Sequence, residues 1–121
     1  MAEKGHRLAF LIVEAEPGQG LSTRKLLIES AKHNVLTAYS AKEGLKMFKR
    51  FPKVDVVVID SELKDNERLA REVKEQNLDI RVVCLAARVG AKAPWADQTA
   101  NPHDPAQLLE MPEEMGGRTD I

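Results

Sequence analysis

A single cysteine, Cys84, stands in 121 residues, so no internal disulfide can form and a reducing compartment fits the chain. Aromatic residues make up only 4%, which leaves the core to aliphatic side chains. Neither sign of charge dominates: 18 basic against 19 acidic residues give a net charge of −1, and bulk charge therefore draws no partner. No apolar run is long. MAEKGHR leads into six apolar residues, 8–13, too few for a signal peptide or a membrane span, and a cytoplasmic location is the expectation. Repeats and low-complexity segments are missing. So is a glycine-rich phosphate loop: EPGQG, residues 16–20, has two glycines and lacks the P-loop spacing, which argues against nucleotide or flavin binding. His6, His33 and His103 are scattered without the spacing of metal ligands.

What is present is the composition of one globular domain, 43% hydrophobic and 31% charged. Two periods alternate along it. Leu8–Val13 is a continuous apolar run, the pattern of a strand buried on both faces. Leu21, Leu27, Ile28 and Ala31 fall on one side of a helix expected to end near Asn34 as a left-handed cap. VLTAY, residues 35–39, predicts the second strand. Ser40 and Glu43 then stand at capping-box spacing before a helix with Ala41, Leu45 and Phe48 as its apolar stripe and Pro52 as its stop. Val54–Ile59 predicts the third strand and ends on a carboxylate, Asp60. Asn66 is placed to cap a helix with Leu69, Ala70 and Val73 facing inward, and Ile80–Leu85 predicts the fourth strand. DPAQLLE opens a last helix, with Asp104 as cap and Pro105 in its first turn, ended by Pro112. A domain over residues 1–112 and a polar tail over 113–121 follow, with no output domain expected beyond them. Strand and helix in alternation with short connections imply a parallel sheet between helical layers, with ligands at the carboxyl ends of the strands. Asp60, Glu14 and Glu16 lie at such ends.

LIVEAEP (11–17), VVVIDSEL (56–63) and NPHDP (101–105), in this order, resemble the receiver domain of two-component response regulators. The resemblance implies a three-layer flavodoxin-like α/β/α fold with a five-stranded parallel sheet of order 2-1-3-4-5. It also implies a phosphoacceptor aspartate, charged by a histidine kinase with a divalent cation bridging the two anions. On that resemblance Asp60 matches the acceptor, and Glu14 the first of an acidic pair. Glu62 stands where a backbone carbonyl joins the metal. Other family positions are degenerate. Ala15 replaces the metal-contacting acid, Ala86 the phosphoryl-binding hydroxyl, and Asn101, followed by Pro102, the lysine. Gln98 occupies the position of the aromatic switch. Glu16 or Glu62 could supply a carboxylate, and Lys64, Arg88 or Lys92 a cation, although Glu16 alternates away from the face of Ala15. Glu14, Asp60 and Glu62 thus form a weak or vestigial set for Mg2+, with no other cofactor expected.

The crossover between the fourth and fifth strands is short. Residues 87–100 number fourteen, and nine remain if ADQTA forms the fifth strand, whereas a crossover with its helix needs about 10–12. Gly90 and Pro94 fall inside it. The family's fourth helix is therefore expected to be missing or reduced, and the fifth strand short. Site and relay surface depart together, which favours a receiver-like module that is no enzyme and acts through a protein partner, a histidine kinase or another signalling component. A working receiver phosphorylated on Asp60 and a flavodoxin-like ligand binder are the alternatives. A membrane is excluded as partner, and nucleic acid is disfavoured. Three features stand outside the motifs. Cys84, mid-strand, reads as core. Trp95 is either a plug over exposed core or a partner anchor. Lys42, Lys46, Lys49, Arg50 and Lys53 form a basic stripe, either a solvated face or a surface for an anionic partner.

Overall fold

The computed structural model describes residues 8–14, 34–86 and 93–100. Five parallel strands form one sheet: β1 (Ala9–Val13), β2 (Asn34–Ala38), β3 (Val56–Asp60), β4 (Arg81–Leu85) and β5 (Gln98–Ala100). Their order is β2-β1-β3-β4-β5, as the resemblance implies. Two helices are described and numbered here in chain order, α1 (Ala41–Arg50) and α2 (Asn66–Gln76).

The continuous apolar runs become central strands because each must pack on both faces. Leu11, Val13, Val57, Ile59 and Val82 meet Phe48, Leu69, Ala70 and Val73 of the two helices on one face. Phe10, Ile12, Val56, Val58, Val83 and Leu85 form the second cluster on the other. Phe10, Ile12, Val56 and Val58 are fully excluded from solvent, each contributing roughly 1.5–3 kcal/mol by burial. At the amino edge Asp55 clamps three strands together. Its Oδ2 accepts the Ala9 N–H at 2.8 Å, its own N–H donates to Ala9 O at 2.8 Å, and its carbonyl accepts from Arg81 N at 3.1 Å.

Helix α1 starts as the sequence predicts. Ser40 Oγ accepts the Glu43 N–H at 3.0 Å, and Glu43 Oε1 reaches back to the Tyr39 N–H at 2.8 Å. Helix α2 starts differently. Its cap is Asp65, in the left-handed region at φ 63° and with no side-chain cap bond. Asn66 is already helical and instead donates its Nδ2 to Ser61 O at 2.9 Å, tying the helix back to the end of β3. Asn34 is likewise not a helix cap. It opens β2 opposite Ala9, with its N–H on Leu8 O at 2.9 Å, so the ladder outcompetes the left-handed turn.

The crossover before β5 bears out the length argument as far as it is described. Ala93–Asp97 contains turns and bends but no helix, and β5 has three residues, paired with Val83–Leu85. Residues 87–92 lie outside the described residues, as do the helices expected over 21–33 and 104–112 and the tail over 113–121. Trp95 packs half-buried against the helical face of the core, which supports the plug.

Candidate functional site

Register builds the site. Val13 pairs with Ile59, so the next residues, Glu14 and Asp60, end adjacent strands side by side. Alternation sets both on the face of Ile12 and Val58 rather than on the face packed by α1 and α2. Glu14 continues the ladder with its N–H on Ala38 O at 3.0 Å and is the buried charged residue of the described core, 2% exposed.

Asp60 is half-buried and holds the loop that follows it. Its Oδ1 accepts the Glu62 N–H at 2.9 Å, an Asx turn. Its carbonyl accepts the Leu63 N–H at 3.0 Å, while the Ser61 N–H crosses to Leu85 O at 2.9 Å. Leu63 is thereby buried under the sheet edge, and Glu62 and Lys64 are left exposed. Among the described residues no three His, Cys, Asp or Glu side chains converge to hold a metal ion. Glu14 and Asp60 thus stand as two carboxylates at neighbouring strand ends, and Glu62 meets Asp60 through its backbone N–H, not as a third converging side chain.

Ala86, at the end of β4, is 7% exposed and its N–H donates to Ala100 O at 3.0 Å. Its methyl group borders a cavity of about 110 Å³ shared with Ser61, Asn66, Cys84, Trp95 and Thr99. Sequence reasoning did not assign this cavity; the residues around Ala86 come from the junction of β3 and α2, from β4, from the β4–β5 connection and from β5, and only register brings them together. Cys84 is buried there, and burial, with the negative charge of Asp60 second, pushes its thiol above the usual range. Gln98, in the switch position, accepts a hydrogen bond from Arg81 Nη1 at 2.7 Å, which ties it across the sheet. Ala15, Glu16, Arg88, Lys92 and Asn101 fall outside the described residues.

No family model matches the chain, and no characterised protein sequence does. Solved structures match over nearly its whole length. A response regulator receiver domain protein from Clostridium thermocellum superposes with a TM-score of 0.76 at 24% identity, covering 93% of this chain and 97% of that one. The fold is that of a receiver domain. A CheY-like receiver domain protein from Methanospirillum hungatei gives 0.73 at 18% identity over 93% and 98% of the two chains. A response regulator from Thermotoga maritima, in complex with Mg2+-BeF, gives 0.68 at 23% identity over 88% and 97%. On this receiver fold Asp60 occupies the carboxyl end of the central strand, flanked by β1 and β4.

Proposed function

We propose that the chain is a receiver-like signalling module whose phosphoacceptor site is degenerate and whose output is a protein contact. The observation that carries this reading is the apolar Ala86 at the end of β4, where the resemblance calls for a hydroxyl, beside an Asp60 whose carboxylate is already engaged with Glu62 N–H. Phosphoryl transfer to a carboxylate is almost wholly positioning and charge neutralisation. Without a hydroxyl, without a lysine at Asn101 and with an alanine at position 15, little neutralises the incoming anion. The module is then no enzyme, works in the cytoplasm, and binds Mg2+ weakly. Among the described residues no helix is long and apolar enough to cross a membrane, which is compatible with that location.

The test is incubation with a small phosphodonor and Mg2+ followed by intact-mass measurement. The expected spectrum shows the unmodified chain. A stoichiometric phosphoryl adduct lost in Asp60→Asn would refute the reading and favour a working receiver.

A further inference from the structure

The two described helices treat their basic residues in opposite ways. On α2 every one is paired: Arg68 with Glu72 at 3.2 Å, Arg71 with Glu67 at 3.0 Å, and Lys74 with Asp97 at 2.7 Å. On α1 and its exit, Lys42, Lys46, Lys49, Arg50 and Lys53 are all exposed, and none forms an ion pair among the described residues. Spacing of i, i+4 and i+7 sets Lys42, Lys46 and Lys49 along one face. The one acid of that helix, Glu43, is occupied in the capping box. Five like charges along one helix and its exit give that surface a local positive potential, to which an anionic surface is the complement.

Beside the stripe lies a groove of about 340 Å³ between α1 and α2. Ala41, Leu45 and Leu69 supply its apolar floor, and Lys42 belongs to both groove and stripe. Apolar floor and one-sided charge together are the complement of an amphipathic helix. The geometry points to this face as the docking site for an acidic amphipathic helix of a partner protein, one apolar side chain entering the groove and carboxylates at helical spacing along the lysines. A polyanion such as nucleic acid suits the face less well, because Asp65 and Glu72 line the same groove and the whole chain carries −1. A bilayer suits it less well too, because Phe48 of α1 is buried against the sheet and Ala41 and Leu45 are only partly exposed, at the floor of the groove.

The inference deepens the interaction-module reading and rests on it only for the existence of a protein partner. The probe is a fluorescent synthetic helix of about 20 residues, with glutamates at i, i+4 and i+7 beside a leucine stripe. Anisotropy titration against the full chain should give saturable binding with Kd on the order of 10–100 μM, weakening with added salt. Lys46→Glu with Lys49→Glu should weaken it about tenfold with the circular dichroism spectrum unchanged, and a peptide with lysines in place of the glutamates should bind that variant instead. Replacing the probe's leucines by alanine should also weaken binding, as the groove requires. Equal affinity for a scrambled peptide, tighter binding of single-stranded DNA or of phosphatidylserine vesicles, or no saturation below about 1 mM, would each overturn the assignment. Phosphorylation of Asp60 in the mass experiment would refute the degenerate-site reading and leave this surface standing.

Discussion

Replacing Gly44 by alanine should destabilise the protein, although alanine is the better helix former. In an open helix the change gains about 0.8–1.0 kcal/mol. Gly44, however, is where α1 presses on the sheet. A Cβ there would stand 2.9 Å and 3.2 Å from the two γ-carbons of Val13 and 3.4 Å from a δ-carbon of Leu69. Val13 is fully buried, branched at Cβ, and fixed between Ala38 and Ile59 in the sheet, so it cannot rotate away cheaply. Forcing an extra methyl into such a contact takes roughly 1–3 kcal/mol. The balance is a net loss of about 1 kcal/mol, a fall in Tm of roughly 3–6 °C for a chain of this size.

Urea denaturation followed by circular dichroism reads the effect directly. The second arm is Val13→Ala, which alone should lose roughly 2 kcal/mol from deleted methyl groups and the cavity they leave. In the double variant the new methyl occupies that space, so the losses should fall short of additive by about 0.5–2 kcal/mol. A Gly44→Ala protein that is more stable than the parent, or strictly additive losses, would show that α1 and β1 are not in this contact.

Three further outcomes follow from the site and its surroundings. Ala15→Asp should tighten Mg2+ binding, and adding Ala86→Thr with Asn101→Lys should restore phosphoacceptor activity at Asp60; a triple variant still inert to a phosphodonor would refute the account of what is missing. Asp97 Oδ2 accepts both the buried Val82 N–H at 2.7 Å and Lys74 Nζ at 2.7 Å, so Asp97→Ala should lose about 1–3 kcal/mol by orphaning that N–H, and Asp97→Asn, which keeps an acceptor, distinctly less; equal losses would count against it. Cys84, its thiol pushed up first by burial and then by Asp60, should label with a thiol reagent at a rate still rising with pH beyond the ordinary value of 9.0, and stability should fall as pH rises past that value because the unfolded thiol ionises first. Asp60→Asn should move the labelling profile towards lower pH, and an unmoved profile would show that the Asp60 charge does not reach the thiol.

The strands were legible because nothing else explains four runs of branched aliphatics at regular intervals, and their order followed from parallel pairing on the resemblance to receiver domains. Boundaries slid by one or two residues where a hydrogen bond decides what hydropathy cannot. Val54 and Ile80 are buried but precede the ladder, and Asn34 joins it, because pairing with Ala9 sets where β2 begins. Asn66 carries the side chain of a cap, yet the loop after Asp60 draws its amide to Ser61 O. Asp55, Asp97 and Gly44 gave no signal at all. Each matters through a partner far away in the chain: Asp55 through Ala9, Asp97 through Val82, Gly44 through Val13. A charged residue before a strand and a glycine in a helix look like ordinary punctuation until the fold supplies those partners.

The geometry also gives Asp60 a structural role that is independent of phosphotransfer. The aspartate ends β3 and bonds the backbone two residues on, while its carbonyl takes the third N–H of the same loop. Those bonds turn the chain so that Leu63 is buried and Asn66 can tie α2 to the sheet edge. Alanine at position 60 would leave the Glu62 N–H without its side-chain acceptor and loosen the start of the helix that forms one wall of the α1–α2 groove. Asparagine would keep an acceptor at the same place and remove the charge. A chain that retained the acceptor only for phosphotransfer should tolerate alanine and asparagine equally in stability, whereas one that retains it for the turn should tolerate asparagine alone. The first requirement acts through chemistry at the carboxylate and the second through backbone geometry, so the two substitutions separate them without any knowledge of the partner.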